Sequence, residues 1–155
     1  MHNDDLPFDD PLTFEEMAQC LSGNLLGSIR IDRFVSSKTD LNDWTNSGGM
    51  NILHIAASHG QRYAIIAFVK AGAKPNAIDS SGRTPLHHAV DFDWVIATQD
   101  GELPTALPTA AVLLRLGVDD TIKDNQGETA SDFTSMVPGL YDDVKRKALS
   151  RKSSG

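Results

Sequence analysis

Apolar residues recur at helical spacing in short segments along the chain, and capping or turn residues bound each segment. The clearest segment begins at Thr84, a residue type that caps helices, and Pro85 follows it where the first helical turn would start. Leu86 and Ala89 then begin an apolar stripe at helical spacing. The same pattern predicts helices over 14–21, 25–35, 52–58, 62–71 and 140–148, with further helices beginning at 85 and near 108.

The segment around Thr84 has a counterpart earlier in the chain. Residues 82–89 read GRTPLHHA, and residues 49–57, which begin 33 positions upstream, read GMNILHIAA. In the earlier copy Asn51 takes the capping position, and His54 takes the position of His87. A repeat of this length predicts stacked structural units that share one core.

These two openings resemble the ankyrin repeat, which has a period of 33 residues and the signature T-P-L-H-x-A. The resemblance implies an all-α solenoid of stacked helix-turn-helix pairs with short β-hairpin loops. It also implies about four repeats with degenerate terminal units, because a terminal unit has one face toward water. We expect one domain over 12–150, built from units at 12–46, 47–80, 81–125 and 126–150, between an acidic extended tail at 1–11 and a flexible tail at 151–155.

The third unit is longer than the repeat period. Its closing Gly117 lies 45 residues after Gly72, the matching glycine of the second unit, which places an insertion at 91–103. Apolar spacing allows the first helix of this unit to continue by one or two turns, and Asp100-Gly101 predicts a turn after it. The insertion carries no basic residue. Its acidic and aromatic side chains are Asp91, Phe92, Asp93, Trp94, Asp100 and Glu102.

We expect this insertion to form a principal part of a partner-binding site. Insertions within a repeat map to loops, which often lie on the binding face. Aromatic anchors inside a charged rim are typical of the centre of an interface. The alternative is that Trp94 packs back under the third unit and covers the gap between its helices, while Phe92 and the acids remain exposed.

The charge balance bears on the kind of partner. Lys and Arg number 14 against 21 Asp and Glu, a net charge of −7, which disfavours nucleic acid and favours a basic protein surface. Cys20 is the single cysteine, so an intrachain disulfide is impossible and a reducing compartment is indicated. The N-terminus does not have the pattern of a signal peptide, and the apolar runs are too short to span a bilayer. We expect a cytoplasmic protein, monomeric when alone, with no membrane partner.

Histidines are the main candidates for chemistry. The resemblance implies that His54 and His87 hydrogen-bond within the array and tie a loop to a helix. His88 and Asp91 have the spacing of one helix face, and His59 lies one repeat away, so a weak metal site is the alternative. These residues match no recognised zinc spacing, and the chain has no phosphate loop, G-x-S-x-G or H-E-x-x-H motif. We therefore expect no enzyme, and no catalytic, cofactor-binding or metal-binding residues.

The resemblance also implies where a partner would bind. Partners of ankyrin proteins usually contact the hairpin tips and the concave side of the first helices. Carried over to this sequence, these positions give eleven further candidates beside the six insertion residues. They are Met50, Ser58, His59, Ile78, Ser80, Ser81, Arg83, His88, Lys123, Asn125 and Glu128.

Three functions remain open from the sequence. The first is a non-catalytic module that binds and inhibits or masks a basic protein, as immunity and antitoxin proteins do. The second is a scaffold or chaperone-like subunit that holds a partner without inhibiting it, and the third is an unrecognised metal-dependent enzyme. A short array with no attached catalytic or signalling domain, together with the acidic balance, favours the first.

Overall fold

Seven α-helices and one 3₁₀ helix follow one another along the chain in the computed structural model, which describes residues 12–23, 28–38 and 40–153. The helices are α1 (Phe14–Ser22), α2 (Ser28–Ser37), α3 (Ile52–Ser58), α4 (Arg62–Lys70), α5 (Pro85–Thr98), α6 (Pro108–Arg115), a 3₁₀ helix (Ala130–Thr134) and α7 (Leu140–Ser153). They form four consecutive pairs, as the 33-residue repeat predicts.

The helices pack in two layers. An inner layer consists of α1, α3, α5 and the 3₁₀ helix, each in contact with the next, and an outer layer consists of α2, α4, α6 and α7. The layers meet at a continuous core that includes Phe34, Leu53, Phe68, Leu86 and Leu113. Each unit therefore buries its apolar face against its neighbours, as in a solenoid.

The inner helices begin with reciprocal caps that the sequence predicts. Thr13 and Glu16 form a capping box at α1, and Thr84 caps α5 with Pro85 in its first turn. At α3 the cap is Asn51, whose side chain accepts a hydrogen bond from the backbone N–H of His54 at 2.9 Å. These caps satisfy amides that a helix start otherwise leaves without partners.

His54 and His87 tie each unit to the next loop, which confirms their expected role. The N–H of Asn51 donates to His54 Nδ1 at 3.1 Å, so the ring proton lies on Nε2, which donates to the carbonyl of Arg83 at 3.0 Å. In the same way the backbone N–H of Thr84 donates to His87 Nδ1 at 3.1 Å, and His87 Nε2 donates to the carbonyl of Glu128 at 2.9 Å. Both rings are buried, so these bonds supply partners to ring nitrogens that have little access to water.

The loops between units are tight turns and not strand ladders. Two backbone hydrogen bonds close each of the two loops at 79–83 and 124–128. Asp79 N–H donates to the carbonyl of Arg83 and Gly82 N–H to that of Asp79, both at 3.0 Å. Asp124 N–H donates to the carbonyl of Glu128 at 2.8 Å, and Gly127 N–H to that of Asp124 at 3.0 Å. Within the described ranges no residue is in a β-strand, so the expected β-hairpins are reduced to their turns.

Several helix ends differ from the sequence prediction. Helix α2 continues to Ser37, whose hydroxyl donates to the carbonyl of Phe34 and so completes the last turn. Helix α4 ends one residue early, at Lys70, and α7 continues to Ser153, so residues 151–153 are helical although we expected a flexible tail. Some predictions apply to residues outside the described ranges, namely 1–11, 25, 26, 154 and 155.

The first and last units are degenerate in different ways. The first is attached through aromatic contacts, in which Phe34 lies edge-on to Phe14 at 5.2 Å and to Phe68 of the second unit at 6.0 Å. In the last unit a five-residue 3₁₀ helix replaces the inner α-helix. Across the described parts of the chain, no helix is both long enough and apolar enough to cross a membrane.

Candidate partner-binding site

The insertion at 91–103 makes α5 twice as long as the inner helix beside it. Helix α5 has 14 residues and α3 has 7, and both start at equivalent capped positions. The seven additional residues add two turns, so α5 extends roughly 10 Å beyond the end of α3. The expected continuation of this helix is confirmed, and the turn predicted at Asp100-Gly101 follows it.

One side of the insertion packs against the array. A Cβ atom placed on Gly60 would lie 2.2 Å from the ring of Phe92, so this ring covers the turn that follows α3. Trp94 is half-buried and packs against the core, in agreement with the alternative stated above. The two aromatic residues therefore fix the insertion to the array and are not its most exposed anchors.

Asp93 has a structural position that the sequence analysis missed. It is 4% exposed, and its Oδ2 accepts hydrogen bonds from the backbone N–H groups of Thr109 and Ala110, both at 2.9 Å. These are first-turn amides of α6, whose own cap position is Leu107, which has no capping side chain. Our expectation that Asp93 belongs to an exposed acidic rim is wrong, because this carboxylate caps the next helix from within the core.

Burial also changes the acidity of this group. Removal from water raises the pKa of Asp93 above its usual value, although the bonds from Ala110 and Thr109 and the charge of Arg62 act in the opposite direction. A carboxylate at a helix N-terminus is favoured by the helix dipole. Asp93 thus links the two helices of the third unit in the place where the usual short turn is missing.

Other side chains of the insertion are exposed, and they are apolar and acidic. Val95, Ile96 and Leu103 are 51%, 49% and 57% exposed. Ile96 lies one helical turn beyond Phe92, past the end of α3, so the shorter helix leaves it uncovered. The carboxylates that remain exposed in this segment are Asp91, Asp100 and Glu102. No Lys or Arg occurs between Arg83 and Arg115, so no basic side chain of the segment offsets them.

Val95, Ile96 and Leu103 are not among the residues that the sequence predicts for the site. Ile96 occupies a position that continues the inward stripe of α5, so periodicity alone places it in the core. The available signal was the difference in length between the second and third units, since an inner helix longer than its neighbour leaves its last turns uncovered.

Comparison with known proteins identifies the array. A family model described as ankyrin repeats, in three copies, matches residues 24–124. The chain belongs to the ankyrin repeat family. Ankyrin repeats are protein–protein interaction modules and are generally not enzymes.

Relatives of the chain include ankyrin proteins of very different sizes. The ankyrin repeat-containing protein P1E11.10 of Schizosaccharomyces pombe is 33% identical over 113 residues, which cover 56% of this chain and 55% of that protein. The mouse nuclear factor NF-kappa-B p105 subunit is 29% identical over 128 residues, which cover 63% of this chain and 13% of that protein. The mouse B-cell lymphoma 3 protein homolog is 27% identical over 147 residues, 81% of this chain and 32% of that protein. The chain thus spans about half of the first relative and less of the others.

Many of the tip residues expected to bind a partner are engaged within the ankyrin array. Ser80 Oγ donates to the carbonyl of Gly48 at 2.6 Å, and Asn125 Nδ2 donates to the carbonyl of Ser80 at 3.0 Å. The carbonyl of Ser81 accepts from the N–H of Asn125 at 2.9 Å. These contacts connect successive tips, so the side chains of Ser80 and Asn125 stabilise the array whether or not they also touch a partner.

The charged side chains of Arg83 and His88 also have partners within the array. Arg83 Nε lies 3.7 Å from Asp124 Oδ2, and its guanidinium lies 5.0 Å from the centre of the Phe133 ring. His88 Nε2 lies 2.7 Å from Asp79 Oδ2. Burial acts to raise the pKa of Asp79, but hydrogen bonds from His88 and from backbone N–H groups outweigh it, and the net change is downward.

The predicted residues form two separate surfaces in the ankyrin fold. Tip residues precede the inner helices, whereas the insertion lies at the opposite ends of those helices, beside Ser58 and His59. Ser58 Oγ donates to the carbonyl of Ile55 at 2.9 Å, and His59 Nδ1 lies 3.0 Å from the same carbonyl. Ile78 is 58% exposed, Met50 is half-buried, and Lys123 and Glu128 are exposed.

The residues considered for a metal site are spread over these surfaces. Asp79 engages His88, Ile55 engages His59, and Asp91 is exposed on the insertion. Among the described residues, no group of three or more His, Cys, Asp or Glu side chains is placed to hold a metal ion.

Proposed function

We propose that this ankyrin module binds a basic surface of a partner protein through the exposed residues of its insertion and masks that surface. The observation that carries the proposal is the combination of three half-exposed apolar side chains, Val95, Ile96 and Leu103, with three exposed carboxylates. Apolar anchors surrounded by charges of one sign are the arrangement expected of a binding hot spot and its rim.

The two kinds of side chain contribute differently to binding. Covering the half-exposed apolar anchors contributes roughly 1 kcal/mol each, because full burial of such a side chain is worth about 1.5–3 kcal/mol. The carboxylates Asp91, Asp100 and Glu102 act mainly on the association rate and on the choice of partner. A net charge of −7 supports the same preference for a basic surface over longer distances.

The tips are a second contact surface in the proposal. Ile78 is the most exposed apolar side chain among the described tip residues, which also include Met50, Ser81, Lys123 and Glu128. The side chains of Ser80, Arg83, His88 and Asn125 belong primarily to the array, because each already has a partner within it.

Masking is the consequence we propose for the partner, in the manner of an inhibitor or immunity protein. The part of α5 that extends about 10 Å beyond the end of α3 would lie against a patch of the partner's surface and cover it. Scaffolding without inhibition is the alternative, and an assay of the partner's own activity in the presence of the module separates the two. The lone thiol of Cys20 supports a reducing compartment such as the cytoplasm, where we propose that the free module is monomeric.

The test is affinity capture with matched variants. The triple variant Val95→Ser, Ile96→Ser, Leu103→Ser removes the anchors, and Lys123→Ser with Ile78→Ser is the control at the tips. We expect the first variant to lose a basic partner that the wild type captures, and the control to keep most of it. Full capture by the folded triple variant, or capture of partners without basic surfaces, would contradict the proposal.

A further inference from the structure

A groove of about 250 Å³ lies between α6 and α7, on the outer layer of the array. Its floor is apolar, and the residues that form it lie on one stripe of each helix: Ala111 and Val112 on α6, and Val144 and Ala148 on α7. The stripe of α6 runs from Pro108 to Arg115, so the groove is roughly 10 Å long.

Small side chains leave this groove open. The helices α6 and α7 are in contact, but Ala111 and Ala148 stand where a larger residue on either helix would fill the space between them. The volume exceeds the roughly 150 Å³ cavity that suffices to bind benzene in an engineered protein. The groove therefore has room for one or two apolar side chains of a ligand.

The rim of the groove is basic although the whole chain is acidic. Arg62, Arg115, Lys147 and Arg151 line it, and among the described lining residues the one carboxylate is that of Asp143. That carboxylate is shared, since Lys147 Nζ lies 2.8 Å from Asp143 Oδ2 and Arg146 bonds to the other oxygen. Among the described lining residues, Asp143 therefore offsets only part of the charge of Arg62, Arg115 and Lys147, and a local excess of positive charge remains in a chain whose net charge is −7.

We propose that this groove binds a short acidic segment of a partner protein that carries apolar side chains. An extended segment of about three residues spans a length of 10 Å, at about 3.3 Å per residue. Its apolar side chains cover the alanine and valine floor, while its carboxylates pair with the cations of the rim. The described part of the lining contains no aromatic residue on which a nucleobase could stack, which favours a peptide over a single-stranded nucleic acid.

This site is independent of the insertion surface. It uses the outer helices and selects the opposite charge, so a basic partner on the insertion and an acidic segment in the groove do not compete for the same side chains. Failure of either proposal leaves the other untouched.

The test uses a fluorescein-labelled peptide in which Asp alternates with Leu and Phe, titrated with the full chain and followed by fluorescence anisotropy. Two control peptides have the same apolar residues with Asn or with Lys in place of Asp. We expect the acidic peptide to bind, its affinity to fall as salt is added, and neither control to bind comparably.

Matched variants locate the binding. Ala111→Leu fills the groove without changing charge and is expected to weaken the acidic peptide at least tenfold. The triple variant Arg62→Gln, Arg115→Gln, Lys147→Gln is expected to weaken it by roughly two- to fivefold per cation. A control triple variant, Lys70→Gln, Lys74→Gln, Lys123→Gln, has the same net charge but alters exposed lysines elsewhere, and we expect it to bind like the wild type. Circular dichroism melts establish whether each variant is folded. If the Ala111→Leu variant is unfolded, the charge variants alone decide the result.

Four results would overturn the proposal. The first is that the acidic peptide does not bind up to about 1 mM, the weak limit of specific recognition. The second is that the Lys peptide binds equally well, and the third is that both triple variants lose the same affinity. The fourth is that the groove binds a fatty acid, decanoate, but not the peptide. A fifth would assign the groove to a different occupant. If the peptide binds only after Asp4, Asp5, Asp9 and Asp10 are replaced by Asn, the acidic N-terminal segment of this chain occupies the groove, and the proposed partner segment is wrong.

Discussion

Asp93 shows how a single side chain can replace a structural element. Its carboxylate accepts two backbone hydrogen bonds from the first turn of α6 and is almost fully buried. Asp93→Ala would leave both amides without an acceptor, and we expect it to lower the free energy of unfolding by roughly 2–4 kcal/mol. Asp93→Asn retains an oxygen acceptor and should cost only about 1 kcal/mol. Urea unfolding of the two variants measures this, and equal losses would mean that the hydrogen bonds are not the cause.

His54 predicts a specific dependence of stability on pH. Burial lowers its pKa from 6.5 to about 4, although the hydrogen bond to the carbonyl of Arg83 acts in the opposite direction. Below pH 6.5 the unfolded chain gains a proton that the folded chain excludes until about pH 4. The free energy of unfolding should therefore fall as the pH falls through this window, by about 3 kcal/mol in total.

The carboxylate of Asp79 acts on His54 and also titrates, so a comparison of variants isolates the effect of His54. The ring of His88 lies 5.6 Å away, and Asp79 has a lowered pKa, which moves its own loss of stability to below pH 3.8. His54→Gln removes the titrating ring and keeps a side-chain donor. Urea unfolding at pH 7 and pH 4.5 should show a smaller difference for this variant than for the wild type, and equal differences would refute the assignment.

Residue roles were predictable where they repeat and not where they occur once. His54 and His87 follow the same cap one repeat apart, so their roles could be carried over from the motif. The partners of Asp93 lie 16 and 17 residues later in the chain, in a part of the third unit without a counterpart elsewhere. No local pattern connects this acid to α6, and its charge alone suggested an exposed position.

At the scale of elements, the insertion and the preceding unit are coupled through Gly60 and Phe92. Gly60 has φ +66°, and an added Cβ would overlap the Phe92 ring. Gly60→Ala should therefore cost more than the roughly 1 kcal/mol expected of the backbone conformation alone, because the ring must also move. Gly101→Ala is a matched control, since Gly101 has φ +82° and no atom within 4 Å of the added Cβ.

A double-mutant cycle measures this coupling. Combining Gly60→Ala with Phe92→Ala removes the overlap, so the two losses of stability should add up to more than the loss in the double variant. Strict additivity in thermal or urea unfolding would show that Phe92 does not hold the insertion on the second unit.

The sequence predicted the existence of most helices but not all of their faces. Caps and apolar spacing located α1, α3, α5 and α6, since these signals are local. The exposure of Ile96 depends on where α3 ends, which is a property of the neighbouring unit. In the last unit the opening motif suggested a repeat, yet a 3₁₀ helix of five residues stands in the place of the inner α-helix.

At the scale of the whole molecule, each unit depends on its neighbours for its core. Helices α3, α4, α5 and α6 contact units on both sides, whereas α1 contacts only α3 within the inner layer of the described chain. We expect far-ultraviolet circular dichroism of a helical protein and a cooperative unfolding transition. Hydrogen exchange of the free protein should be slowest in α3, α5 and α6 and faster in α1. A sheet-dominated spectrum, or uniform exchange across the array, would contradict the stacked arrangement.

We propose different partners for the insertion and for the groove between α6 and α7 because the two surfaces differ in charge. The insertion is apolar and acidic, whereas the groove between α6 and α7 is apolar and basic, and only the first follows from the net charge of the sequence. The groove depends on which residues of α6 and α7 face each other, which is fixed by packing and not by either segment alone.

Hydrogen exchange of the complex tests the proposed binding surface most directly. The basic partner recovered by affinity capture would be added to the full chain, and exchange would be compared residue by residue with that of the free protein. We expect protection to be concentrated at 91–104, including the turn after α5, with smaller changes at the tips around Ile78. Unchanged exchange over 91–104, with protection confined to the tips, would contradict the proposal that the insertion holds the partner.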